Sequence, residues 1–461
     1  MPVRRPPFAP YARPSVRPRE KGPPMRSHAS RRRRTTTTLL AAGTALAATF
    51  TVAGCGSSGQ GGTSADGTTT ITFMETMAAS TQKTTLEQLT SAFEKANPKI
   101  RVKLEVEPDY ATLYAKETAA VSAGNAPTIG QVYPDWAATF AKSQVILPVS
   151  SFAGTSTPAQ LSGFYAGVKN ELYLPDGKLW LWPFNKSVEV MFDNPALLKA
   201  KGVSYPATWD EFATAARKVS GGGVTAISVD PGTAAGPGAG TTWLETLDYA
   251  YGGAPFAKDG SPQFTAPTMV KALGYLAGLK KSGALALGTN YPGETALAAK
   301  KGAFDVSTSA GYYYEGQAVG GKFTLGTQDL PAGPAGKANI LTGTDLTMFA
   351  SASKAQQDAA WKYMQYLTEP AQQATWAAGT GYLPVTAKAL PDMSAYVARN
   401  PWVTGAVGAL QYAKSEPPYG WIEKSEGALA VAVQDVVDKG ADPASALADA
   451  QRTAQAAKAA G

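Results

Sequence analysis

The sequence predicts an α/β fold divided into two lobes. Three observations carry that reading. Strand and helix patterns alternate where the folded region begins, as in βαβ units on a parallel sheet. Roughly 400 residues follow the leader, enough for two hydrophobic cores. Cys55 is the only cysteine, so no disulfide can form within the chain and burial must supply the stability.

The leader comes first. Arg31-Arg32-Arg33-Arg34 precedes a short, weakly apolar stretch, residues 39–52, which ends in Val52-Ala53-Gly54-Cys55. A basic segment, an apolar segment and small residues before a cut make a secretory signal. Residues 1–24 are Pro/Arg-rich with no apolar period, so Met25 is the expected initiator. Ser30-Arg31-Arg32 also fits a twin-arginine signal, and the sequence leaves Sec and Tat export open. The small-small-Cys ending resembles the bacterial lipobox. Residues 1–54 are then a removed signal, Cys55 carries the lipid, and the Gly/Ser-rich residues 55–67 form a flexible tether. The resulting location is the extracytoplasmic face of the cell membrane.

Removing the leader reverses the charge. The chain has 42 basic and 35 acidic residues, a net charge of +7. Eleven of the basic residues and one acid lie in residues 1–54, leaving 31 and 34. Nucleic-acid binding loses its basic surface. The only histidine, His28, also leaves with the signal. His-based triads, thiol nucleophiles and His/Cys zinc sites are excluded from the mature chain. No cofactor motif and no phosphate-binding Gly-x4-Gly-Lys-Ser/Thr loop is present. Without histidine, little pH dependence of binding is expected between about pH 6 and 8.

In the folded region, residues 69–76 read as a strand. Thr84-x-x-Glu87 reads as a capping box opening a helix that Asn97-Pro98 ends. Ile100, Val102, Leu104 and Val106 alternate with polar residues, the period of a half-buried strand. Residues 110–123 read as helix, with Gly124 as the stop, and 128–133 as strand. Thr208-Trp209-Asp210-Glu211 is a second capping box, opening a helix through Val219. Residues 225–229 read as strand and the Gly/Pro-rich 231–240 as loop. Trp361, Met364 and Leu367 share a helical face, and the tail from Glu426 is helical with a break near 440–443.

Five blocks, in order, carry a family resemblance. They are Phe93-Glu94-Lys95-Ala96-Asn97-Pro98, the run Gly124-Asn125-Ala126-Pro127-Thr128 through Tyr133, Trp182-Pro183-Phe184-Asn185 with Asp193-Asn194-Pro195, Pro206-Ala207-Thr208-Trp209-Asp210, and Gly379-Thr380-Gly381-Tyr382-Leu383-Pro384. Together they resemble the extracellular solute-binding proteins of bacterial ABC importers, the group that includes maltose-binding and glycerol-3-phosphate-binding proteins. The resemblance implies a two-lobe periplasmic-binding-protein fold, maltose-binding-protein-like, with crossing strands between lobes and a ligand cleft that closes by hinging. Lobe 1 would be 68–185 plus 343–383, and lobe 2 would be 187–338 plus 386–461. The implied function is capture of a carbohydrate for an ABC permease, by a monomer and without catalysis.

Sugar binding needs aromatic faces and polar groups for hydroxyls. By position and resemblance the candidates are Tyr110, Tyr133, Asp135, Asn185, Ser187, Trp243, Ser309, Tyr312, Gly343, Thr344, Tyr382, Tyr419 and Trp421. Trp243 and Tyr382 are expected to stack on the solute. In the glycerol-3-phosphate branch an arginine follows the Tyr419 loop. Here the segment is Lys424-Ser425-Glu426-Gly427, without arginine, and Glu426 would repel a dianion. The residues therefore favour a neutral mono- or oligosaccharide over glycerol-3-phosphate or a glycerophosphodiester. A more distant alternative is a lipid-anchored glycoside hydrolase using two acids such as Glu189 and Asp193.

Overall fold

A strand of twelve residues, all buried, holds the molecule together: β5, Trp182–Asp193. The computed structural model describes residues 62–154 and 158–461, so the leader and Cys55 lie outside the described residues. Before β5 come β1 (Thr69–Glu75), β2 (Ile100–Val106), β3 (Ile129–Val132) and the short β4 (Ile146–Leu147). After it come β6 (Ile227–Val229), β7 (Gly232–Thr233), β8 (Gly236–Pro237), β9 (Leu285–Leu287), β10 (Phe304–Thr308), β11 (Gly326–Gln328) and β12 (Leu341–Phe349). The main sheet runs β2-β1-β3-β12-β5-β10-β6-β9, with β4 on β12 and β11 on β5. At one end β1 is parallel to both β2 and β3, and at the other β6 is parallel to β10 and β9. The two crossing strands between these ends, β5 and β12, are antiparallel to each other.

The register shows how β5 is divided. Its first half pairs with β12, from Trp182↔Leu346 to Val188↔Leu341. Its second half pairs with β10, from Glu189↔Thr308 to Asp193↔Phe304. Asn185 opposes Thr344 but Pro183 opposes Asp345, so the ladder shifts by one residue at Phe184. A bulge of this kind bends the strand where it passes from one lobe to the other.

Two hydrophobic cores flank this crossing. The first gathers Phe73, Phe184, Tyr363 and Trp376. Phe184 packs edge-on to Phe73 at 5.6 Å and stacks on Trp376 at 5.2 Å. The second gathers Trp209, Phe212, Trp243 and Phe304. The first core extends past the crossing to Val190, Phe192, Leu297 and Ala310, and part of the C-terminal segment packs on it. Ala389, Met393, Tyr396, Val403, Val407 and Leu410 pack into the first core. Tyr419 and Trp421 pack against the second core, and buried tail residues join it from Ile422. The helix Trp402–Ala409 touches β5 and β11, and β11 pairs with the second half of β5.

Most local signals act as read. Thr208 and Glu211 form a reciprocal capping box on the helix Trp209–Val219. Asp109 caps the helix Tyr110–Ser122 by accepting from the Thr112 amide. The Thr84 box does not form: the helix runs Ser80–Ala96, so Thr84 lies inside it. The loop at 231–240 contains the small β7–β8 hairpin, and Ala239 already begins the next helix.

Gly343 is the glycine the crossing requires. Its φ is +94°, and a Cβ there would overlap the Asn185 carbonyl oxygen on β5. Gly343→Ala should cost more than about 2 kcal/mol, because strain and overlap add. Urea unfolding would measure this, and a loss under about 0.5 kcal/mol would mean that the crossing tolerates rearrangement.

Candidate functional site

The strands of both ends terminate around one cavity of about 780 Å³. Tyr110 follows β2, Tyr133 follows β3, Asp230 follows β6, Asn290 follows β9 and Thr308 ends β10, and all five line it. Ligands in open α/β sheets bind at such carboxyl ends. Gly343 and Thr342 form part of its wall where β12 crosses.

The sequence candidates divide into three groups. Tyr110, Tyr133, Asp135 and Gly343 line the cavity. The rings of Tyr110 and Tyr133 lie 5.0 Å apart, and Trp136 meets Tyr133 edge-on at 5.0 Å. A second group supports this wall from behind. Asn185 donates to the Tyr110 hydroxyl at 3.2 Å and accepts from the Thr344 amide at 3.0 Å. Thr344 Oγ1 accepts from Gln131 at 2.7 Å. Tyr382 reaches the same Tyr110 and Asn185 groups and stacks on Trp376. Ser187 bonds Thr342, and the buried Ser309 follows Thr308. Apart from Ser309, whose buried Oγ has no hydrogen-bond partner, these side chains commit their polar atoms largely to one another.

The third group lies elsewhere. Trp243 is 0 % exposed, packed among Trp209, Phe212 and Tyr275 in the second core. Its neighbours Ala239 and Thr242 face the cavity instead. The expected stacking tryptophan is thus a core residue, because the helix Ala239–Ala250 turns that position inward. Tyr312 donates to Asn400 and packs on Trp402. Tyr419 and Trp421 stack on each other at 4.5 Å, and Trp421 donates to the Gly260 carbonyl. The loop carrying them does bridge the lobes: a Cβ added at Gly420 would come within 2.6 Å of Thr139 Oγ1.

Two features escaped the sequence. Tyr291 lines the cavity yet is 75 % exposed, and with Asn290 it adopts left-handed backbone, φ 57° and 58°. Strained residues of this kind are held only where the surroundings fix them. The second feature is charge. Asp135, Glu171, Glu189, Asp230, Asp305, Glu416, Glu423 and Glu426 all line the cavity, and among the described residues no lysine or arginine does. Glu171 alone has a buried cationic partner, Lys186, which also lies 2.9 Å from Asp345.

Burial pushes the Asp135 carboxyl up to about 8, with Glu416 and Glu423 adding to the shift. Burial likewise raises Glu189 to about 8 and Asp305 to about 7. Glu426 is raised by burial and then by Glu416 and Glu245. These groups titrate within the range that the absence of histidine left flat, so a pH response is expected from carboxyls instead. The sequence placed Asp135 and Glu426 singly near the solute; the structure gathers six further acids, far apart in sequence, around the same cavity. The two acids offered for hydrolysis do not converge: Glu189 lines the cavity, whereas Asp193 packs under Gly326.

Two α/β ends joined by crossing strands, with a cavity where their strands terminate, define a two-lobe binding protein. Residues 88–404 match the family described as bacterial extracellular solute-binding protein, and the chain belongs to that family. The sn-glycerol-3-phosphate-binding periplasmic protein UgpB of Escherichia coli (strain K12) is 27% identical over 384 residues, spanning 77% of this chain and 82% of that protein. Among solved structures, the cyclic alpha-maltosyl-1,6-maltose binding protein from Arthrobacter globiformis superposes with a TM-score of 0.75 at 20% identity, covering 86% of this chain and 100% of that one. UgpB from Mycobacterium tuberculosis in complex with glycerophosphocholine gives 0.73 at 20% identity, covering 84% and 98%. Among the described residues no helix is long and apolar enough to cross a membrane.

Proposed function

We propose that the chain is the solute receptor of an ABC importer and captures a carbohydrate, a mono- or oligosaccharide, between its lobes for delivery to a permease. The observation that carries this reading is the cavity wall of Tyr110, Tyr114, Tyr133 and Trp136 facing carboxylates that accept from hydroxyls. Flat apolar faces cover sugar C–H surfaces, and paired acceptors fix the hydroxyls. The relatives' solutes, glycerol-3-phosphate, glycerophosphocholine and a cyclic maltosyl-maltose, are all small and hydroxylated. Free glycerol-3-phosphate suits this cavity poorly, since no basic side chain among the described residues lines it. The protein binds without turnover and acts as a monomer.

A thermal-shift screen over sugars, polyols and glycerophosphodiesters tests the reading, because a ligand of the native state raises Tm. At least one sugar class should raise it by several degrees at millimolar concentration and be recovered intact. Silence from every sugar with a response to glycerol-3-phosphate would replace carbohydrate by phosphate ester. Hydrolysis of a bound oligosaccharide would point instead to a glycosidase.

The anchoring reading is that diacylglyceryl-modified Cys55, at the end of Val-Ala-Gly-Cys, holds the protein to the membrane. Several acyl chains bind stably where one binds marginally. Cys55→Ala should therefore shift most of the protein into the medium, which fractionation and immunoblotting would read. A fully membrane-bound variant would place the anchor elsewhere.

A further inference from the structure

The acids of the cavity are not spread evenly. Asp135 sits in the first turn of the helix Pro134–Lys142, next to β3. Glu416 lies on the loop that bridges to Thr139, and Glu423 and Glu426 lie on the helix Ile422–Val437 of the second core. Asp135 feels Glu416 and Glu423, and Glu426 feels Asp135, Glu416 and Glu245. One carboxylate from the first lobe thus meets several from the second. Carboxylate oxygens of Glu245, Glu416 and Glu426 lie within 4.8 Å of one another.

Independent observations point to something that belongs among them. Glu426 is 2 % exposed and Glu189, on β5, is 3 % exposed. Both line the cavity, and Glu426 Oε1 and Glu189 Oε2 have no hydrogen-bond partner. The ammonium buried nearby, Lys186, is already held by Glu171 and Asp345. The adjacent wall is aromatic, Tyr133 and Trp136, and ring faces attract cations. Buried like charges left unpaired are costly, and a cation placed between them removes the cost.

We propose that the captured solute carries a positive charge, an amine or ammonium on a hydroxylated, sugar-like frame, and that this charge seats between Asp135 of one lobe and Glu416 and Glu426 of the other. The assignment deepens the carbohydrate reading and rests on it. The cation is also what permits closure. Without it these acids must either keep their protons or repel one another across the cleft, and with it each lobe can ionise against a counter-ion held by the other. A neutral sugar would fill the aromatic wall and leave this repulsion in place.

Calorimetric titration of the protein with matched pairs tests the charge: glucosamine against glucose, and the glucosamine disaccharide against cellobiose. The charged member should bind at least tenfold tighter in low salt, and its advantage should shrink severalfold in 1 M sodium chloride. Glu426→Gln and Asp135→Asn should each reduce that advantage. Both replace a buried ionisable acid with a neutral amide of the same shape, so the variants should melt no lower than the parent. Equal binding within each pair, or preference for the neutral member, overturns the charge assignment and leaves solute capture standing. Failure of all four to bind overturns the amine assignment, and the carbohydrate reading is then decided by the thermal-shift screen alone. A calcium chloride titration is the control for a metal: if calcium binds and displaces the amine's advantage entirely, the acids hold a divalent ion and the amine assignment falls.

Discussion

Lys186→Met should destabilise the protein by about 3–5 kcal/mol, the cost of breaking a buried ion pair by removing one partner. Lys186 is 0 % exposed on β5, bonded to Glu171 and 2.9 Å from Asp345 Oδ1. Burial alone would lower its pKa, but Asp345 and Glu171 outweigh burial and hold it above the usual lysine value. Methionine matches the stem and removes the charge, leaving two buried acids facing each other. Urea unfolding would read the loss at constant m. The triple change Lys186→Met, Glu171→Gln, Asp345→Asn should recover much of it, since a neutral set of similar shape leaves no bare charge. A single-variant loss below about 1 kcal/mol would mean that the triplet is more hydrated than its burial implies.

The ligand-free protein should be most stable near pH 5 and lose stability steadily toward pH 8. Asp135 and Glu189 are raised to about 8 and Asp305 to about 7, burial being the main cause. Unfolded carboxyls release their protons near pH 4. Between these limits the native state holds protons that the unfolded state has released, so stability falls as pH rises. Each proton so held steepens the slope by up to about 1.4 kcal/mol per pH unit. Tm measured at fixed ionic strength would show the fall, and Glu189→Gln should flatten it. A Tm that rises from pH 5 to 8 would contradict the burial of these acids.

Much of the scaffold could be read from residues close in sequence. Alternating Ile100, Val102 and Leu104 gave β2, and Thr208 with Glu211 gave a helix start, because strand pleat and capping are local. The Thr84 box starts the helix Ser80–Ala96 five residues late, because its true N-terminus has no side-chain cap to see. The cavity rim was legible at Tyr110 and Tyr133, where a strand pattern passes into a helix pattern. Trp243 was misplaced because the choice between core and cleft depends on how its helix is rotated by Trp209 and Phe212, which only packing decides. The acid cluster was invisible for another reason. Asp135, Asp230 and Glu426 are far apart in a mature sequence whose basic and acidic residues nearly balance. Overall composition cannot show that one sign has been collected in a single place.

The division of β5 has a consequence for how the molecule comes apart. Its first half completes one core's sheet and its second half completes the other's. Neither lobe can melt alone without stripping partners from a strand the other still needs. Loss of structure should therefore be a single cooperative event despite the length of the chain, and proteolytic nicking should not release either lobe as a folded fragment. The slowest amides to exchange with deuterium should be those around Val188 and Glu189, where protection from both lobes overlaps.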